Sequence, residues 1–136
     1  MKVIIAGSRI ITDYATVERA IKVSGFPITE LVSGGARGVD RLGERWAREH
    51  HVPIKQFLPD WDRHGSRGPF HAGIMRNRAM AAYVGKGGGR IAVWDGTSPG
   101  TKHMVMEARA LQLKVSVLNL RKERIQREVQ SAAASR

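Results

Sequence analysis

Five short runs of apolar, often β-branched residues punctuate this chain, at Lys2–Ala6, Glu30–Ser33, Pro53–Leu58, Arg90–Trp94 and Lys114–Leu118. They are read as strands buried on both faces, with Val3–Ala6 and Ile91–Trp94 uninterrupted in their hydrophobicity. Helical periodicity fills most of the intervals, at Tyr14–Val23 with Thr12 or Asp13 as N-cap, Val39–His50, Ile74–Tyr83 and Thr101–Leu113. A polar helix is expected over Arg121–Ala134, and long loops over Pro59–Gly73 and Asp95–Gly100. Strands alternating with helices predict an α/β domain: a doubly wound, Rossmann-like parallel sheet of about five strands with helices on both faces. In the common order 3-2-1-4-5, strands one and four meet at the switch point. The loops after strands one, two and four then share the carboxyl edge of the sheet.

At 136 residues a single domain is expected, over 1–118, followed by a basic helix or tail at 119–136. A 42% hydrophobic and 26% charged composition is that of a folded chain. There is no cysteine, which excludes a disulfide scaffold, thiolate metal sites and a cysteine nucleophile. The apolar start at Val3–Ala6 is too short for a secretion signal, and no run approaches a membrane span. A cytoplasmic protein without a membrane partner is the expectation.

The charge points to anions. Lys and Arg number 23 against 12 Asp and Glu, a net +11. Residues 119–136 hold five of the cations and two Glu, so most of the excess lies on the body of the chain. Nucleotides and nucleic acid are the partners such a balance attracts.

Three loops at the predicted carboxyl edge carry the chemistry. They are Gly7-Ser8-Arg9, Ser33-Gly34-Gly35-Ala36-Arg37-Gly38 and Asp95-Gly96-Thr97-Ser98-Pro99-Gly100-Thr101. Glycine lets backbone N–H groups approach a ligand closely, and the following helix adds unpaired donors and a partial positive charge. Together they make a candidate phosphate or ribose-phosphate site. Gly34, Gly35, Ala36, Gly96, Ser98, Gly100 and Thr101 would meet phosphate, with Gly7, Ser8 and Arg9 closing the site. Asp95 and Asp40 would contact sugar hydroxyls or organise the loops. Arg76 and Asn77 come from the third helix. The loop around Trp61-Asp62-Arg63-His64-Gly65-Ser66-Arg67 adds an aromatic ring and cations that could fold over the same edge. Neither G-x-x-x-x-G-K-[ST] nor G-x-G-x-x-G after the first strand is present, and the five histidines lack metal-ligand spacing. No metal and no cofactor are expected.

These motifs, with Ala72-Gly73-x-x-Arg76-Asn77-x-x-Met80 and Trp94-Asp95-Gly96-x-Ser98-x-Gly100-Thr101, resemble the YspA-type branch of the SLOG superfamily. That superfamily joins Rossmann-like domains related to the LOG phosphoribohydrolases and to the DNA-processing protein DprA. The resemblance spans roughly Met1–Leu118 and implies a nucleotide or nucleotide-derived ligand, bound by a sensor or binder. A LOG-like nucleoside monophosphate phosphoribohydrolase is the alternative, with Arg78, Glu107 and Asp95 as its catalytic candidates. A DprA-like DNA-binding module is the second. Where LOG enzymes have a glutamate three residues beyond their P-G-G-x-G-T threonine, this chain has Met104, and Glu107 lies a helical turn further on. The resemblance also implies pairing through helices. Leu42, Trp46, Met104, Met106, Leu111 and Leu113 are the apolar groups from which a homodimer or larger assembly is expected.

Overall fold

In the computed structural model, residues 1–59, 68–97, 106, 109 and 112–123 are described. Strands β1 (Lys2–Gly7), β2 (Glu30–Ser33), β3 (Ile54–Gln56), β4 (Gly89–Trp94) and β5 (Lys114–Asn119) form one parallel sheet in the order β3-β2-β1-β4-β5. This is the predicted α/β architecture and the predicted strand order.

The central strand β1 is sandwiched because its two faces serve different cores. Val3 and Ile5 pack with Leu31, Ile91 and Val93 beneath α1 (Tyr14–Ser24) and α2 (Val39–Glu49). Ile4 and Ala6 pack on the other side with Val32, Leu113 and the α3 (Pro69–Val84) residues Met80, Ala81 and Val84. A continuous apolar run is therefore required: every residue from Val3 to Ala6 is at most 2% exposed.

Local chemistry sets the helix ends. Asp13 caps α1, its Oδ1 accepting from the Ala15 N–H at 3.2 Å and its Oδ2 from the Thr16 hydroxyl at 2.9 Å. Gly25 ends that helix in the left-handed region at φ 66°. Helix α3 begins five residues before the expected Ile74, at Pro69. Proline suits the first helical turn, where its missing N–H has no partner to lose, and Gly73 is carried inside the helix. The third strand is shorter than expected, since only Ile54–Gln56 pairs as strand with β2.

Beyond β5 the chain turns into a helical segment at 120–123, one residue before the expected start. Asn119 Oδ1 accepts from the N–H groups of Arg121 and Lys122, both at 3.1 Å. Glu123 is held by Arg19 of α1. The expected helix Thr101–Leu113, the loop at Trp61–Arg67 and the rest of the C-terminal helix lie outside the described residues.

Three of the six apolar residues singled out for pairing are taken up by the domain itself. Leu42 and Trp46 pack against the core under α2, and Leu113 is buried beside α3. Met106 is 61% exposed, while Met104 and Leu111 lie outside the described residues. No helix among the described residues is long and apolar enough to cross a membrane.

Candidate functional site

The two helical layers meet over the carboxyl end of β2, and Gly34 is the point of contact. Arg76, on α3, reaches over the end of the strand and donates from Nη1 to the Gly34 carbonyl at 2.8 Å. Asp40, in the first turn of α2, approaches from the opposite layer. A β-carbon at Gly34 would stand 2.4 Å from Arg76 Nη1 and 2.9 Å from Asp40 Oδ2. Only glycine fits. The guanidinium is further fixed by its α3 neighbour, since Arg76 Nε donates to Asn77 Oδ1 at 2.9 Å. Arg76 and Asn77 thus act as a pair, with Asn77 orienting the cation.

Two N–H groups of the glycine loop that the sequence assigns to phosphate are held within the loop. The Gly35 N–H donates to Ser33 Oγ at 3.1 Å, and the Ala36 N–H donates to Asp40 Oδ2 at 3.2 Å. The loop is organised before any ligand arrives. Gly38, at φ 76°, precedes α2 with no side chain to cap the first helical N–H groups. A β-carbon there would collide with the Ser8 and Arg9 carbonyls at 2.5 and 2.6 Å.

The Gly7-Ser8-Arg9 loop divides its duties. Gly7 and Ser8 bind protein: the Ser8 N–H donates to the Val93 carbonyl at 3.1 Å, and Ser8 Oγ accepts from the Asp95 N–H at 3.1 Å. Ser8 is 3% exposed, a stitch between β1 and the end of β4. Arg9 is exposed, and its charge acts on Arg76. Asp95 closes its own turn by accepting from the Thr97 N–H at 2.9 Å. Gly96, at φ 95°, leaves room for Arg121, whose Cβ would be 2.6 Å from an added β-carbon. Ser98, Gly100, Thr101 and Glu107 lie outside the described residues. Arg78 is exposed and two residues from Arg76, about 200° around the helix. It therefore does not join Arg76 over Gly34.

Burial dominates the electrostatics here. Burial pushes the Asp40 carboxyl up to about 6, against the pull of the Ala36 N–H and of the Arg76 and Arg90 guanidiniums; Glu44 adds to the rise. Burial lowers the pKa of Arg76, with Asp40 opposing and Arg9 reinforcing the shift. Arg76 and Arg90 thus act on an Asp40 that is still mainly charged at pH 7, and Arg9 acts on Arg76.

Sequence reasoning passed over three residues here. Arg90 begins an apolar strand yet is 1% exposed, and its field reaches Asp40. Glu44 accepts from the Ser33 hydroxyl at 2.8 Å and from Gln56 Nε2 at 3.2 Å. The i,i+4 spacing of Asp40 and Glu44 on α2 was the available signal, placing both on neighbouring positions of one helix face. Among the described residues no group of three His, Asp or Glu side chains is placed to hold a metal ion.

A parallel five-stranded sheet with glycine loops and guanidiniums at its carboxyl edge defines a Rossmann-like domain. The comparisons make this more specific. The family model described as "YspA, cpYpsA-related SLOG family" matches residues 1–64. The chain is also 32% identical over 124 residues to the "Gene 61 protein" of Mycobacterium phage D29, across 84% of this chain and 93% of that protein. The chain belongs to the YspA-related SLOG family. That membership suggests a nucleotide-related binding role. No solved structure matches it significantly.

Proposed function

We propose that the crevice over Gly34 binds the phosphate of a nucleotide or nucleotide-derived molecule, and that the protein is a binder or sensor of that ligand. The observation that carries this reading is the seat of Arg76. Its guanidinium is aimed by Asn77 and Gly34, which use two of its five N–H donors. The remaining donors are left in a fixed fork beside a second cation, Arg9, which repels Arg76 until an anion separates them. The N-terminus of α2, which no side chain caps and whose Val39 N–H donates to the Ser8 carbonyl at 3.5 Å, adds a partial positive charge on the same side. Ser98, Gly100 and Thr101 of the third loop would complete the phosphate contacts. The sugar would meet Asp40, Asp95 or both.

Hydrolysis has less support. Arg78 is turned away from Arg76, and an Asp95 carboxylate oxygen is used in its own turn. Binding without turnover is therefore the expected result. A thermal-shift panel of nucleoside mono-, di- and cyclic phosphates should yield a stabilising ligand that chromatography recovers intact, because binding to the native state alone raises Tm. Release of free base would instead establish the LOG-like phosphoribohydrolase.

Arg76→Ala is expected to weaken that ligand roughly tenfold to a hundredfold in calorimetric titration, the loss of a charge-assisted contact. Arg76→Lys should restore only part, because an ammonium lacks the planar fork. Full affinity in a folded Arg76→Ala protein would remove the crevice over Gly34 from the binding site.

A further inference from the structure

Helix α2 carries a second cationic feature that the crevice does not use. Arg41, Arg45 and Arg48 are all exposed, and their spacing of four and then three residues sets them on one stripe of the helix. Along the axis they span about 10.5 Å, at about 1.5 Å per residue. Arg37, also exposed, continues the cationic run into the turn before the helix.

This stripe is poorly explained as a solvated helix surface. Like charges four residues apart weaken a helix, and a stabilising surface would alternate them with carboxylates. Arg41 lies in the first turn, where the helix dipole disfavours a cation. Of the carboxylates beside the stripe, Glu44 is committed elsewhere and Glu49 pairs with only the middle arginine. Glu44 turns inward to Ser33 and Gln56, and Glu49 serves Tyr14 at 2.7 Å and Arg45 at 3.1 Å. Arg45 lies over the Tyr14 ring, 3.9 Å from its centroid. The side chains of Arg41 and Arg48 make no ion pair or hydrogen bond among the described residues.

We propose that the Arg41–Arg45–Arg48 stripe of α2 is a docking surface for a nucleic-acid backbone, separate from the nucleotide crevice. A duplex strand presents about one phosphate per 3.4 Å of its axis, so the stripe covers about three of them. Guanidinium forks suit phosphate better than ammonium groups do. Among the described residues, the one aromatic ring at the stripe, Tyr14, is covered by Arg45 and offers no open stacking platform. Recognition is therefore of the backbone and independent of base sequence.

The test is fluorescence-anisotropy titration of a labelled 20-base-pair DNA duplex against the full chain at several salt concentrations. Wild-type protein should bind with a log–log salt slope of about −2.7 or steeper, at about 0.9 per neutralised phosphate. Arg41→Ala/Arg48→Ala should lose about 1.8 of that slope and weaken binding roughly tenfold to a hundredfold at 0.1 M salt. The two side chains hold nothing else in place among the described residues, so the variant should keep the wild-type Tm. Lys86→Ala/Lys114→Ala removes the same charge from exposed positions just before β4 and at the start of β5, away from the β1 and β2 strands that α2 covers, and should leave the slope unchanged.

Equal losses in the two double variants would reduce the effect to net charge and overturn the proposal. So would wild-type protein that ignores duplex, or that binds polyglutamate or phosphatidylserine vesicles as well as DNA with the same response to the variants. The crevice is read separately: the Arg41/Arg48 variant should retain the nucleotide thermal shift, and Arg76→Ala should retain the duplex slope.

Discussion

Adding one methyl group at position 7 is expected to cost this domain on the order of 4 kcal/mol or more, about half the stability of a typical domain. The β-carbon of Gly7→Ala would stand 2.0 Å from the Val93 carbonyl oxygen and 2.9 Å from Val39 Cγ2. The first neighbour is backbone of the adjacent strand in register, Gly7 opposite Val93, so no rotamer change relieves it. Strands β1 and β4 must separate, which breaks the Ser8 N–H bond to Val93 and disturbs the Ser8–Asp95 stitch above it. At roughly 3 °C per kcal/mol, Tm should fall by about 12 °C or more. Gly73→Ala is the matched control. Nothing among the described residues lies within 4 Å of that β-carbon, and position 73 is helical. Alanine there should stabilise by about 0.5–1 kcal/mol. A Gly7→Ala protein that melts with the wild type would show that β1 and β4 are further apart than their register requires.

Gly7 also shows where reading the sequence stops. A glycine ending an apolar strand and preceding Ser-Arg has the look of a ligand loop, and the strand order correctly brings that loop to the carboxyl edge. Whether the glycine makes room for a phosphate or for a neighbouring strand depends on the β1–β4 register, which composition and spacing do not determine. The same limit separates Gly34 from Gly35. Gly34 makes room for Arg76 and Asp40; Gly35, at φ 69°, sits against Gln56 and Leu58. The strand order was legible because buried parallel strands need apolar runs; β1 and β4 carry uninterrupted ones, while β3 and β5 at the sheet's edges admit polar residues such as Lys55 and Ser116. The start of α3 was not. Gly68, Pro69 and Gly73 are loop-formers by propensity, yet proline at the first turn and a helical glycine are tolerated once the Met80–Val84 end is packed. Arg76 and Asn77 were legible as a polar pair entering an otherwise apolar helix. The Glu44–Gln56 contact was not, since it joins α2 to a strand whose pairing with β2 sets the distance.

Asp40→Asn is expected to make the protein more stable at pH 7.5, by up to about 3 kcal/mol, and to flatten its stability between pH 4 and 6. The native carboxyl titrates at about 6 against an ordinary 3.8, because burial outweighs the Ala36 N–H and the guanidiniums of Arg76 and Arg90. A raised carboxyl pKa means that the native state holds a proton the unfolded chain has already lost. Wild-type stability should therefore decline as pH rises through that window, with the full cost present above pH 6. About two pH units at 1.36 kcal/mol each set the size of the effect. Asparagine keeps an oxygen to accept from Ala36 and removes the charge, so its denaturation midpoint should stay level where the wild type falls. Below pH 4 the two proteins should converge. The carboxylate also opposes any phosphate that Arg76 attracts, so at pH 7.5 Asp40→Asn should bind the nucleotide at least as tightly as wild type. If the variant is instead more than 1 kcal/mol less stable at pH 7.5, the Asp40 charge is a net support of the Gly34 loop. If its stability rises and its affinity collapses, Asp40 holds the ligand's sugar, and the burial of its charge is the cost of that contact.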